Sequence, residues 1–176
     1  MTAVVRAYIG LGSNLGDPQQ QVERAIGALA VLPDSQLHAR SACYRSLPWG
    51  DSEQDDFINA VAAIDTTLTP QQLLAQLLDI ERRQGRDRNR GRRNGPRTLD
   101  LDLLLHDDAQ IDEPGLQLPH PRLHERAFVL LPLAEIAPGL VIPGRGVVTT
   151  LLKPEFASLC WRLSGAANAP HQTCRK

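Results

Sequence analysis

The chain is short of lysine, aromatic residues and cysteine. Lys153 and Lys176 are its only lysines, so its positive charge is carried almost wholly by arginine. Two tryptophans, two tyrosines and three phenylalanines are present. They do not form the sheet-face aromatic motif that a single-strand RNA reader needs. Cys43, Cys160 and Cys174 are odd in number and lack zinc-ligand spacing. That fits a reduced, cytoplasmic protein rather than a disulfide scaffold. No apolar run approaches the roughly 20 residues of a membrane span. The opening MTAVVRAYIG has no signal-peptide layout. These absences argue against a membrane partner. A formal net charge of −1 argues against a general nucleic acid binder. No G-x-x-x-x-G-K-[ST] occurs, which excludes a P-loop kinase. Gly10, Gly12 and Gly16 are spaced G-x-G-x-x-x-G, not as in a dinucleotide fingerprint, so a tight strand-to-helix turn is expected there.

What is present reads as one domain over residues 1–164, followed by a polar, aperiodic stretch, 165–176, expected to be a disordered tail. Val4 to Leu11 reads as a strand. Asp17-Pro18-Gln19-Gln20 and Thr69-Pro70-Gln71-Gln72 are helix starts: an N-cap, proline at the first helical position, glutamine at the third. The helices they open run to about Pro33 and Gly85. Strands are expected at Leu37–Arg45, Phe57–Asp65 and Thr98–His106. The order β-α-β-β-α-β predicts an α/β (α+β) fold, a ferredoxin-like sandwich of one sheet and one helical layer. A Pro-rich link, a helix from about Glu125 to Ile136 and weaker helical character after Val148 add C-terminal helices.

The most informative stretch runs from Arg82 to Asp102. Residues 82–97 hold eight arginines against one acid, Asp87, and run into GPRTLDLD. Asp100 and Asp102 share one strand face, opposite Leu99, Leu101 and Leu103. Their Cα atoms are then roughly 6.6 Å apart. At that range two carboxylates repel by about 2–3 kcal/mol at an effective dielectric near 20. Something cationic is expected between them, and removing either acid should not destabilise the metal-free protein. Carboxylate oxygens suit Mg²⁺ shared with substrate phosphates, and arginine forks suit the remaining phosphate oxygens. The spacing points to a metal–polyphosphate site. Gly85, Gly91 and Gly95 prevent a stable helix in the arginine run, so residues 86–94 read as a mobile lid that gains order on phosphate. A metal-dependent phosphohydrolase using the same acids remains an alternative, separable by its products.

The chain resembles the 6-hydroxymethyl-7,8-dihydropterin pyrophosphokinase family. The likeness rests on AYIGLGSNLGD (7–17), CYRS (43–46), FINA (57–60), IERRQGR (80–86), RRNGPRTLDLDLL (92–104) and LPHPRLHERAFVLLPL (118–133). It implies diphosphate transfer from ATP to a pterin hydroxymethyl group, with release of AMP, a step of folate biosynthesis. It implies a monomer with small-molecule substrates. By that resemblance Asp100 and Asp102 hold two Mg²⁺ ions. Arg88, Arg93 and Arg97 act on the ATP phosphates, with Asp100 and Asp102, as the catalytic set. Glu81, His120 and Arg126 belong to the nucleotide side. Phe57 and Phe128 stack the pterin, and Ser46, Trp49 and Asn59 read its edge. Asn94 stands where the family often has tryptophan, and Phe57 where tyrosine is familiar.

Overall fold

The computed structural model describes residues 3–48, 53–86 and 95–164. Its main sheet is built on β1 (Val5–Ser13) and β4 (Phe57–Thr66), antiparallel and in register from Val5 opposite Thr66 to Ser13 opposite Ile58. β5 (Asp100–His106) lies on the other side of β1. Beyond β4 come β2 (Ser35–Arg40) beside its C-terminal half and β3 (Tyr44–Ser46) beside its first residues. A single strand was expected over 37–45, and the chain breaks it at 41–43. There Ser41 takes over both bonds of Val61: its N–H donates to the Val61 carbonyl at 2.9 Å and its Oγ accepts the Val61 N–H at 3.0 Å.

Helices α1 (Pro18–Ala30) and α2 (Pro70–Arg83) start where the cap chemistry placed them. Asp17 accepts the Gln20 N–H at 3.0 Å. Thr69 and Gln72 close a reciprocal box, each accepting the other's backbone N–H, at 3.2 and 2.9 Å. Both helices bury their apolar stripes, such as Val22 and Leu29, Leu73 and Leu77, against Ile9, Leu11 and Leu101 on one sheet face. This is the two-layer ferredoxin-like unit.

The opposite face is covered in part by α3 (Ala127–Ile136), whose Val129, Leu130 and Leu133 pack with Tyr8, Tyr44, Val61 and Leu104. A 3-10 turn, Leu123–Glu125, precedes it where helix was expected from residue 125. The Pro-rich link contains a small hairpin, β6 (Ile111–Glu113) and β7 (Leu116–Leu118). After it, His120 N–H donates to the Leu104 carbonyl at 2.9 Å, laying this segment along the β5 edge. A second hairpin, β8 (Val141–Ile142) and β9 (Gly146–Val147), leads to a 3-10 turn, Val148–Leu151, and the single turn α4 (Phe156–Leu159). The sheet then gains an edge strand with no signal in the sequence pattern, β10 (Cys160–Arg162), paired with β3. Cys43 and Cys160 are buried free thiols, both pushed up by burial, Cys160 to about 12. Among the described residues no helix is long and apolar enough to cross a membrane.

Candidate active site

A cleft opens on the α3 face of the sheet, beside the N-terminal end of α3. Four strands and one helix supply its walls, Ser46 coming from the end of β3. Phe57 and Asn59 come from β4, Asp100 and Asp102 from β5, Gly10 and Gly12 from β1, Phe128 from the first turn of α3. Strand alternation puts residues two apart on the same face, which is why both carboxylates and both β4 residues reach it.

The two acids are wired alike. Arg97 pairs with Asp100 at 2.7 Å and stacks over the Phe57 ring at 5.7 Å. Arg126 pairs with Asp102 at 3.3 Å and stacks over the Phe128 ring at 5.5 Å. Each carboxylate is thus tied through one guanidinium to one aromatic wall. Arg86 also grips Asp100, through the same Nη1 that bonds Glu81 at 2.8 Å and the Leu99 carbonyl at 3.0 Å. The repulsion expected between the acids is therefore met, in the protein alone, by Arg86, Arg97 and Arg126.

The compensation is uneven. Among the described residues, Asp102 accepts one long bond, while Asp100 has two guanidiniums. Burial, then the charge of Asp100, push Asp102 up to about 6 against the opposing pull of Arg126. Yet 31% of its side-chain surface still meets the cleft. An accessible carboxylate short of positive charge is a place for a cation. Asp102 also borders a second, wider hollow between the β5 edge and the β6–β7 hairpin, lined by Leu74, Gln117 and His120. It stands where two ligands could meet.

His120 is held neutral, pushed down to about 4 by burial and by the charge of Arg126. Its Nδ1 accepts the Arg122 N–H at 3.2 Å, so the ring proton sits on Nε2 as a donor. Glu81 is 1% exposed. It accepts the Leu101 N–H at 2.8 Å and the Arg86 guanidinium, so it positions β5 and Arg86 from below. Asn59 donates from Nδ2 to Ser46 Oγ at 2.9 Å, which turns its Oδ1 toward Gly12.

Of the residues picked from the sequence, Ser46, Phe57, Asn59, Arg97, Asp100, Asp102, Arg126 and Phe128 share the cleft. His120 lies in the adjoining hollow. Trp49, Arg88, Arg93, Asn94 and the segments 87–94 and 165–176 lie outside the described residues. Two residues escaped the sequence reading. Arg86 was one arginine among eight, and only the fold shows it between Glu81 and Asp100. Asn14, 3% exposed, is the other. Its N–H and Oδ1 bond the backbone of Arg97 at 3.1 and 2.9 Å, and its Nδ2 reaches Gln54 and the Asp55 carbonyl. Its signal was its place in GLGSN, directly after a strand.

The 7,8-dihydro-6-hydroxymethylpterin-pyrophosphokinase (HPPK) family model matches residues 8–138. The chain belongs to this family. A 2-amino-4-hydroxy-6-hydroxymethyldihydropteridine pyrophosphokinase of Methylorubrum extorquens is 52% identical over 150 residues, 85% of this chain and 94% of that one. The protein of that name from Pseudomonas aeruginosa is 46% identical over 164 residues, 93% of this chain and 99% of that one. Among solved structures, a triple mutant of Plasmodium falciparum HPPK-DHPS with pteroate superposes with a TM-score of 0.69 at 12% identity, covering 91% of this chain. The chain spans less than half of that one, 47%. Such a likeness speaks for the fold, and it agrees with an HPPK domain.

Proposed function

We propose that the cleft transfers diphosphate from ATP to the hydroxymethyl group of 6-hydroxymethyl-7,8-dihydropterin, giving the pterin diphosphate and AMP in folate biosynthesis. Membership of the HPPK family supports the reaction. The observation that supports its location is the pairing of Asp100 and Asp102 on one strand face, with an arginine and an aromatic wall attached to each.

Phe57 and Phe128 hold the flat pterin, and Asn59, fixed by Ser46, offers Oδ1 to a donor on its edge. Trp49, outside the described residues, belongs with them by resemblance. The hollow beyond Asp102 takes the nucleotide, where His120 offers its Nε2–H to a phosphate oxygen. Arg97 and Arg126 sit between the two ligands and can turn from the carboxylates to the transferring diphosphate. Arg88 and Arg93 join them by resemblance. Such donors stabilise charge as the bond to AMP breaks, in a transfer that depends on positioning and charge more than on covalent help.

The donor set fits magnesium: two carboxylates with oxygens facing the cleft, one of them short of positive charge. Two Mg²⁺ ions held by Asp100 and Asp102 would supply Lewis-acid neutralisation of the phosphates and a lowered pKa for the attacking hydroxyl. Arg86 and Glu81 keep Asp100 and its strand in place for that role. We place the protein in the cytoplasm as a monomer, one domain over residues 1–164. Incubation with ATP, Mg²⁺ and the reduced hydroxymethylpterin tests the reading. AMP and pterin diphosphate in equal amounts support it. ADP, or free phosphate formed without the pterin, contradicts it.

A further inference from the structure

Gly10 and Gly12 lie inside β1, where glycine weakens a strand by entropy and lost packing. Their backbone does not require glycine. Gly16, just beyond, has φ +67°, but neither Gly10 nor Gly12 is in the left-handed region. The register irregularity of β1 against β5 falls at Tyr8/Ile9, so neither glycine is a bulge residue. What remains is space. Gly12 pairs with Asn59 on one side and Asp100 on the other, and Gly10 pairs with Val61 and Asp102. Directly paired residues share a sheet face. The row Asn59–Gly12–Asp100 therefore crosses the sheet with no side chain at its centre. With strands 4.7–4.9 Å apart, its outer Cα atoms are about 9.5 Å apart. A Cβ on Gly12 would stand 3.1 Å from Asn59 Oδ1 and 4.0 Å from Phe57 Cδ1, in the ring slot itself. The three atoms nearest a Cβ on Gly10 all belong to the Leu104 side chain, from 3.4 Å.

We infer that Gly12, with Gly10, is a specificity-determining position: the bare β1 backbone floors a trough that joins the ring slot to the carboxylates. The trough admits a flat ring whose short arm crosses β1 to reach Asp100 and Asp102. A thicker ring system would strike the floor. This rests on the proposed pterin reading of the slot.

The test is calorimetric binding of the hydroxymethylpterin and of an ATP analogue to the full chain, with melting curves alongside. Gly12→Ala is expected to weaken pterin binding tenfold or more, with ATP affinity within twofold and an unchanged melting temperature. Gly10→Ala adds a methyl at ordinary contact distance from the buried Leu104 side chain, so it should fold even where Gly12→Ala does not. It is expected to weaken pterin binding threefold or more, again with ATP affinity retained. Pterin affinity within twofold of wild type in a folded variant, or an equal loss of both ligands, would overturn the inference. Failure of the wild type to bind the pterin would instead overturn the functional reading beneath it.

Discussion

At the scale of single residues, the two acids that looked equivalent in sequence are not. Removal without cost, expected from the sequence for either acid, is expected from these contacts for Asp102 alone. Asp102 is raised to about 6 by burial and by Asp100, against roughly 3.9 for an unfolded aspartate. Between those values the folded state holds more protons, so its stability falls as pH rises through about 4 to 6. Asp102→Asn should therefore stabilise the metal-free protein at pH 8 by about 1–2 kcal/mol, allowing for the exposed part of the side chain. The gain should vanish below pH 4. Urea unfolding with a chelator at pH 4, 6 and 8 measures it, and a gain that is constant or grows toward acid would contradict the raised value. Asp100→Asn should behave oppositely, because Arg86 and Arg97 would lose their shared partner. A cost of about 1–3 kcal/mol is expected. The aromatic wall gives a second outcome. Phe128→Ala should weaken pterin binding about tenfold or more, since stacking is worth ~1–3 kcal/mol. ATP affinity should hold, and equal loss of both ligands in calorimetry would assign Phe128 to packing.

At the scale of elements, what could be read in the sequence was what local chemistry writes plainly. The caps at Asp17 and Thr69, the 3.6-residue apolar stripes and the alternation of LDLDLL gave both main helices and β5 to within three residues at each end. β10, β8, β9 and the β6–β7 hairpin are two or three residues long, too short to show a period. β10 exists because β3 offers it an edge, which no local pattern records. The break between β2 and β3 depends on Ser41 bonding Val61, twenty residues away. The site divides in the same way. Asp100, Asp102, Arg97, Phe57 and Phe128 stood out by type and spacing. Arg86, Asn14 and the glycine trough became visible only when strands from three parts of the chain lay side by side. The capping box also separates stability from activity. Thr69→Ala should cost about 1 kcal/mol, because it opens the N-terminus of α2 while Glu81 at the other end keeps its bonds. Turnover at 25 °C within twofold of wild type, with a lower denaturant midpoint, is the expected result. A large loss of activity would mean that the helix transmits strain to Asp100.

At the scale of the whole molecule, one sheet serves two purposes. One face is sealed by α1 and α2 around Ile9, Leu11 and Leu101 and gives the fold its stability. The other is only partly sealed by α3, and its open end is the cleft. The chain's net charge of −1 hides this division, since eight of its arginines fall within residues 82–97, next to the acids of β5. The central claim is that the carboxylate pair on β5, and Asp102 above all, is where the metal and both ligands meet. A quenched single-turnover measurement of AMP formation by Asp102→Asn, at saturating ATP, pterin and Mg²⁺, tests it most directly. A fall in the chemical step of about 10³-fold or more is expected, near 4 kcal/mol, in a protein that remains folded and still binds the pterin. A rate within tenfold of wild type would show that the transfer does not depend on this carboxylate and would contradict the claim.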